Sequence, residues 1–159
     1  MEEQKLKSIA AHLRRGKVAS LGTLHNGEPA VSMVPYALVP ETGHFVLHVS
    51  QLATHTQDME RHPRVSIMVV ADWAGDEPVQ ALARASLACD AIPCVAGASE
   101  CASARSAYVS KFPDSEPMFD FGDFSLFLLV PRTVRFVGGF GKAWAANAAQ
   151  YREAMVLLE

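Results

Sequence analysis

Leu6, Ile9, Ala10 and Leu13 recur at i, i+3, i+4 and i+7 with charged residues among them, and Gly16 follows. That spacing predicts an amphipathic helix with a glycine stop, its apolar stripe laid on a core. The pattern then changes period. Lys17 to Leu24 is a short β-compatible run, and His25-Asn26-Gly27-Glu28 carries the Asn-Gly pair of a tight hairpin, so the next run, Ala30 to Leu38, is expected to return beside it. Pro35 in that run has no N–H for a ladder. It marks an edge, a bulge, or a point where a ligand stands in for the neighbouring strand.

After the turn Pro40-Glu41-Thr42-Gly43, a strand from His44 to Ser50 puts His44, Val46, His48 and Ser50 on one face, expected to be polar. Phe45, Leu47 and Val49 take the other, expected to be core. Leu52 to Arg61 lacks a β-branched run and ends against Pro63, which predicts a short helix. Val65 to Ala71 is a nearly continuous apolar strand, and a fifth strand from about Gln80 to Ala91 follows the turn-rich stretch 72–78. A small-residue helix is expected at about Ser99 to Lys111. The stretch Phe112 to Pro117 breaks it. Two strands, Phe124 to Val130 and Thr133 to Phe140, are expected on either side of Pro131, and Lys142 to Leu158, rich in Ala and Leu, reads as a helix. Six or so strands with peripheral helices and no βαβ rhythm predict a mainly β fold, an antiparallel barrel with helical additions.

Composition narrows this further. The 159 residues, half of them hydrophobic, suit one domain over 1–159 with a sizeable core. A formal net charge of −3 provides no basic footprint for a phosphate backbone, which argues against nucleic acid as a partner. The start Met-Glu-Glu-Gln-Lys-Leu-Lys is unlike a signal peptide and no apolar run approaches membrane-spanning length, so no membrane role and a cytoplasmic location are expected. Cys89, Cys94 and Cys101 are odd in number and none are spaced Cys-x-x-Cys. A disulfide framework and a metal site are therefore not expected, and the cysteines read as small core residues.

Candidate chemistry concentrates at one turn. The chain passes from strand to helix through Ser50-Gln51-Leu52-Ala53-Thr54-His55-Thr56, where free N–H groups and the helix dipole favour an anion. Ser50, Thr54, His55 and Thr56 add hydroxyl and imidazole donors, although such a turn is also what an ordinary capped helix looks like. His44 and His48 stand about 13 Å apart along a strand, too far to share one ion. His48 and His55 straddle the turn and could converge. No Gly-x-Ser-x-Gly elbow, Walker loop or Gly-x-Gly-x-x-Gly fingerprint is present.

Gly-Thr-Leu-x-x-Gly-x-Pro (22–29), Ser-Met-Val-Pro-Tyr (32–36), Ser-Gln-Leu-Ala-x-His-Thr (50–56), His-Pro-Arg-Val-Ser (62–66), Asp-Phe (123–124) and Gly-Gly-Phe-Gly-Lys-Ala (138–143) occur in this order. Together they resemble the pyridoxamine-phosphate-oxidase-like FMN-binding proteins, and among these the haem-utilisation branch. The resemblance spans roughly residues 8 to 146. It implies an antiparallel FMN-binding split barrel, a homodimer, and FMN in the groove between subunits. It further implies Met33, Val34 and Pro35 along the isoalloxazine, with Ser50, His55 and Thr56 at the phosphate. Arg84 on the fifth strand is a further candidate for the phosphate charge, or else an ordinary surface arginine.

Departures from the family pattern bear on activity. Relatives often carry a basic residue and then Asn after His-Thr, whereas this chain has Gln57 and Asp58, which removes a cation and adds an anion near the proposed phosphate. Cys89 stands where Gly is common. The Arg-, Leu- and Pro-rich C-terminal motif of true pyridoxamine-phosphate oxidases is missing, which argues against vitamin B6 oxidation. Haem-degrading relatives take an axial histidine from near the C-terminus, yet every histidine here lies at or before His62. Tyr108 and Tyr151 are the substitutes the sequence offers. The expected function is thus an FMN-dependent oxidoreductase, with a haem-binding or haem-utilisation protein in the same groove as the alternative and a cofactor-free scaffold as a third reading.

Overall fold

The computed structural model describes residues 2–139 and 141–157. The elements run α1 (Glu3–Arg15), β1 (Val18–His25), β2 (Glu28–Pro35), β3 (Ala37–Leu38), β4 (Phe45–Ser50), α2 (Thr54–Arg61), β5 (Arg64–Val70), β6 (Arg84–Pro93), α3 (Ser99–Lys111), β7 (Phe124–Val137), β8 (Ala143–Asn147) and α4 (Ala148–Val156). Short 3₁₀ segments cover Val79–Ala81 and Pro113–Asp120. Every strand pairing is antiparallel, in the order β2-β1-β5-β6-β7-β4-β3, and β8 adds to β7.

The hairpin forms where the Asn-Gly pair predicts it. Asn26 at φ 51° and Gly27 at φ 80° supply the two left-handed residues that match the twist of β1 and β2. β2 pairs only with β1, so it is an edge, and Pro35 at its end removes a donor that no neighbour needed. The run expected as one strand from Ala30 to Leu38 breaks at Tyr36, whose N–H turns back to the Lys17 carbonyl at 3.0 Å.

β7 has three partner strands. It pairs with β4 over Phe124–Leu129 and with β8 over Thr133–Val137, while β6 runs along nearly its whole length. Pro131 does not divide it into two strands as the sequence suggested. Ala88 pairs with Thr133 and Cys89 with Pro131, so Arg132 is an extra residue in a bulge that accommodates the proline. The strand ends at Val137; Gly138 and Gly139, expected within it, lie beyond its end, and Phe140 is outside the described residues.

The stretch expected as one helix from Lys142 begins instead as β8, because the free edge of β7 is available to it. Asn147 then accepts from the Gln150 N–H at 2.9 Å while the Gln150 side chain accepts from the Asn147 N–H at 3.0 Å, a capping box that fixes the start of α4. Leu158, the expected end of that helix, lies outside the described residues.

Leu6, Ile9, Ala10 and Leu13 of α1 all reach the barrel core with the inward residues of β1, β5, β6 and β7, as their spacing predicts. β4 departs from its expected alternation. Phe45, Leu47 and Val49 face the barrel, but Val46 is equally buried and His48 is 8 % exposed. α3 and the 3₁₀ segment after it cover that second face with Ala104, Tyr108 and Phe119. Only one of the three cysteines is the small core residue expected of all of them. Cys89 is a buried free thiol, but the end of β6 and the first turn of α3 bring the Cys94 and Cys101 Cα atoms to 5.6 Å, and the two form a disulfide.

Candidate functional site

The β4–α2 turn is built largely for itself. Thr56 is fully buried and its hydroxyl donates to the Ser50 carbonyl at 2.6 Å. The Ser50 hydroxyl accepts from the Leu52 N–H at 3.1 Å and lies 3.4 Å from the Asp123 carboxylate. Ala53 stands at the N-cap with no side-chain cap, so the first-turn N–H groups of Thr54 and His55 receive no capping bond. His55 is half-buried, and burial holds its imidazole below the ordinary histidine range, with Asp58 acting weakly the other way. A phosphate here would meet two backbone donors and one neutral ring, but not the Thr56 hydroxyl, and it would stand near Asp123.

Asp58, which the sequence placed as an unwelcome anion beside that turn, points elsewhere. It is 2 % exposed and accepts from the Thr23 hydroxyl at 2.9 Å, with His25 Nδ1 at 2.8 Å from its other oxygen. Burial works to raise its carboxyl, but the bonds from His25 and Thr23 outweigh burial and hold it below the usual carboxylate range. Asp58 thus ties α2 to the β1 hairpin.

The remaining candidates fall into separate places. Met33 is 66 % exposed and Pro35 is also exposed, whereas the Val34 side chain is 2 % exposed and belongs to the core, so Val34 has only its backbone to offer a ligand. Arg84 donates through Nη1 to the Gln80 and Leu82 carbonyls at 2.7 and 3.0 Å, closing its own loop. It pairs with Val137 at one end of β7, while Ser50 pairs with Phe124 at the other, so the fold of the chain does not bring Arg84 to the Ser50 turn. His48 stacks on Phe119 at 3.9 Å beneath α3 and does not meet His55 in a shared site. Tyr151 is buried with its hydroxyl donating to the Gly43 carbonyl at 2.6 Å, and Tyr108, also buried, packs among His48, Phe112 and Phe119, so neither tyrosine lies on the protein surface.

What the structure does assemble is the outward face of the sheet. Its register aligns Met33, Ser20, Met68, Ser86 and Arg135 in one row and Val31, Gly22, Ser66, Ala88 and Thr133 in the next. Val18, Val31, Met33, Met68 and Val70 are between 38 and 76 % exposed there, an apolar face without a covering layer among the described residues. Small residues at Gly22, Ser66 and Ala88 leave a shallow cavity of about 290 Å³ bordered by Arg64 and Arg132. Both arginines place Nε 3.3 Å from one Asp90 oxygen, so the pair retains one excess positive charge. In the sequence Arg64 carries no role beyond its place in the His-Pro-Arg-Val-Ser motif, and nothing singles out Arg132. Strand periodicity could have put Arg64 on the outward face, but Arg132 depends on the bulge. No histidine occupies an outward position on these strands.

Comparison with known proteins agrees with this architecture. The chain is 32 % identical over 138 residues to the non-canonical haem oxygenase HOZ, chloroplastic, of Arabidopsis thaliana, covering 87 % of this chain and 40 % of that one. It is 36 % identical over 135 residues to the haem oxygenase HutZ of Vibrio cholerae, covering 82 % and 74 %. The structure of a haem-binding protein from Mycobacterium smegmatis superposes with a TM-score of 0.82 at 34 % identity, covering 95 % of this chain and 60 % of that one. This chain therefore spans less than half the length of HOZ. A putative pyridoxamine 5'-phosphate oxidase from Listeria innocua (84 % of this chain, 98 % of that one) and a FAD-binding protein from Mesorhizobium loti (78 % and 87 %) each match at 16 % identity, with TM-scores of 0.65 and 0.61, a likeness of fold alone. Residues 5–153 match the family described as CREG, β-barrel, and the chain belongs to that family of split barrels.

Proposed function

We propose that this protein binds haem on the outward sheet face, in a groove completed by a second copy of the chain, and that it serves haem breakdown of the kind its relatives are named for. The observation that carries the reading is the face itself. A broad apolar surface with small residues at its centre accepts a flat macrocycle, and the excess charge of Arg64 and Arg132 suits a propionate. Identity to two haem oxygenases over more than four fifths of the chain supports it. Haem would supply the redox chemistry. The chain's own part is to bind and orient it, since no outward histidine on these strands offers an axial ligand.

FMN remains the second reading because the bare Thr54 and His55 N–H groups can receive a phosphate. Separate titrations with haemin and FMN, followed by absorption, distinguish the two. A saturable Soret shift, weakened at least tenfold in the Arg64→Ala/Arg132→Ala variant, is the expected result, because a charge-assisted hydrogen bond contributes about 1.5–3 kcal/mol. Saturable flavin bands without haem uptake would replace haem with FMN. The homodimer is checked by sedimentation, where Met33→Glu and Met68→Glu should yield monomer, and a monomeric wild type would remove the groove.

A further inference from the structure

A second cavity lies on the other side of the fold, between α1, β3, α3 and α4. It measures about 460 Å³, and none of its lining residues belongs to the outward sheet face. Ala37, Leu38, Pro40 and Met155 form an apolar wall, and Arg14, Ser110 and Lys111 form the polar side. Arg14 uses one of its five donors on the Met155 carbonyl at 2.6 Å, and the Lys111 ammonium bonds the Gly16 carbonyl while lying 4.2 Å over the Tyr36 ring. Among the described residues neither cation has a carboxylate partner, and the other charged group acting on Lys111 is Lys17, a further cation. Half-buried cations facing a cavity without an anion are costly, and a ligand anion would relieve that cost.

We propose that this cavity binds a small organic carboxylate with an apolar chain or ring, its carboxylate between Arg14 and Lys111 and its apolar body against Leu38, Pro40 and Met155. The polar and apolar halves together require both parts of such a ligand. Inorganic phosphate lacks the body and a neutral alcohol lacks the charge. Burial, reinforced by Lys17, lowers the Lys111 ammonium to about 8. A bound carboxylate pulls it back up, so the ligand carries a proton onto Lys111 when it binds at that pH.

Calorimetric titration of the whole protein with octanoate tests this, with inorganic phosphate and octanol as comparison probes. Octanoate is expected to bind saturably, at least tenfold more tightly than either probe. At pH 8 its apparent enthalpy should change with the ionisation heat of the buffer, as proton uptake demands, and this effect should fade at pH 6.5. Lys111→Met and Arg14→Gln should each weaken octanoate at least tenfold, and Lys111→Arg should retain it without proton uptake. The wild-type buffer dependence needs no variant, so a folding defect leaves the test intact. Absence of saturable binding, or binding with no proton uptake at pH 8, overturns the proposal.

Discussion

Replacing Asp58 by Ala removes a carboxylate that is 2 % exposed and holds two side chains, Thr23 at 2.9 Å and His25 at 2.8 Å. Each hydrogen bond to a charged acceptor contributes about 1.5–3 kcal/mol, but His25 is 43 % exposed and recovers water, whereas Thr23, 6 % exposed, is left with a buried unpaired hydroxyl. The net cost should be about 2–3 kcal/mol, a large part of the stability of an ordinary domain and about 5–10 °C in Tm for one of this size. Urea unfolding of wild type, Asp58→Ala, Thr23→Val and the double variant measures it, with the coupling between the two sites expected to exceed about 1 kcal/mol. The sign of the pH dependence is fixed. The native carboxyl sits below its unfolded value, so its contribution is complete above about pH 4 and is lost as pH falls through the native value. The difference between wild type and Asp58→Ala should therefore narrow in acid, leaving the part owed to the unpaired Thr23 hydroxyl. A difference below about 0.5 kcal/mol at neutral pH, or one that does not shrink below pH 4, would refute Asp58 as the tie between α2 and β1.

Burial holds His12 and His48 below the ordinary histidine range, so the unfolded chain takes up their protons first and stability falls as pH drops below about 6.5. His48→Phe keeps the stack on Phe119 and removes the partnerless Nδ1, so urea midpoints at pH 7.5 and 5 should differ less than in wild type; an equal difference would count against it. Gly43 stands at φ +72°, and a Cβ there would run into Met155 and Tyr151, so Gly43→Ala should cost about 3 kcal/mol by calorimetry, and a neutral result would contradict the packing. The Cys94–Cys101 disulfide closes a short loop, so reducing it should remove about 2 kcal/mol, and Cys94→Ser should abolish the effect of reductant. A wild type equally stable with and without reductant would show that the bond contributes nothing.

Local signals in the sequence were enough to specify the parts whose physics is local. The i, i+3, i+4, i+7 stripe of α1 and the span Ser99–Lys111 of α3 appear as read, and the Asn26-Gly27 hairpin appears because its backbone geometry is set by two residues. The ordered motifs led to the split barrel. Tertiary structure decided what depends on a neighbour distant in sequence. β8 exists because β7 has a free edge, and the His44–Ser50 strand lost its polar face because α3 folds over it. Pro131 stayed inside one strand because a bulge opposite Cys89 absorbed it, and the same bulge set Arg132 beside Arg64. The candidate site moved for the same reason. Thr56 and Asp58 looked like ligand-facing groups in the linear chain, but folding gave them partners at Ser50 and at Thr23 and His25, since a buried polar group is stable only when it is satisfied. Alternation along a single strand marks which residues face outward, but only the register of five strands brings them into one surface.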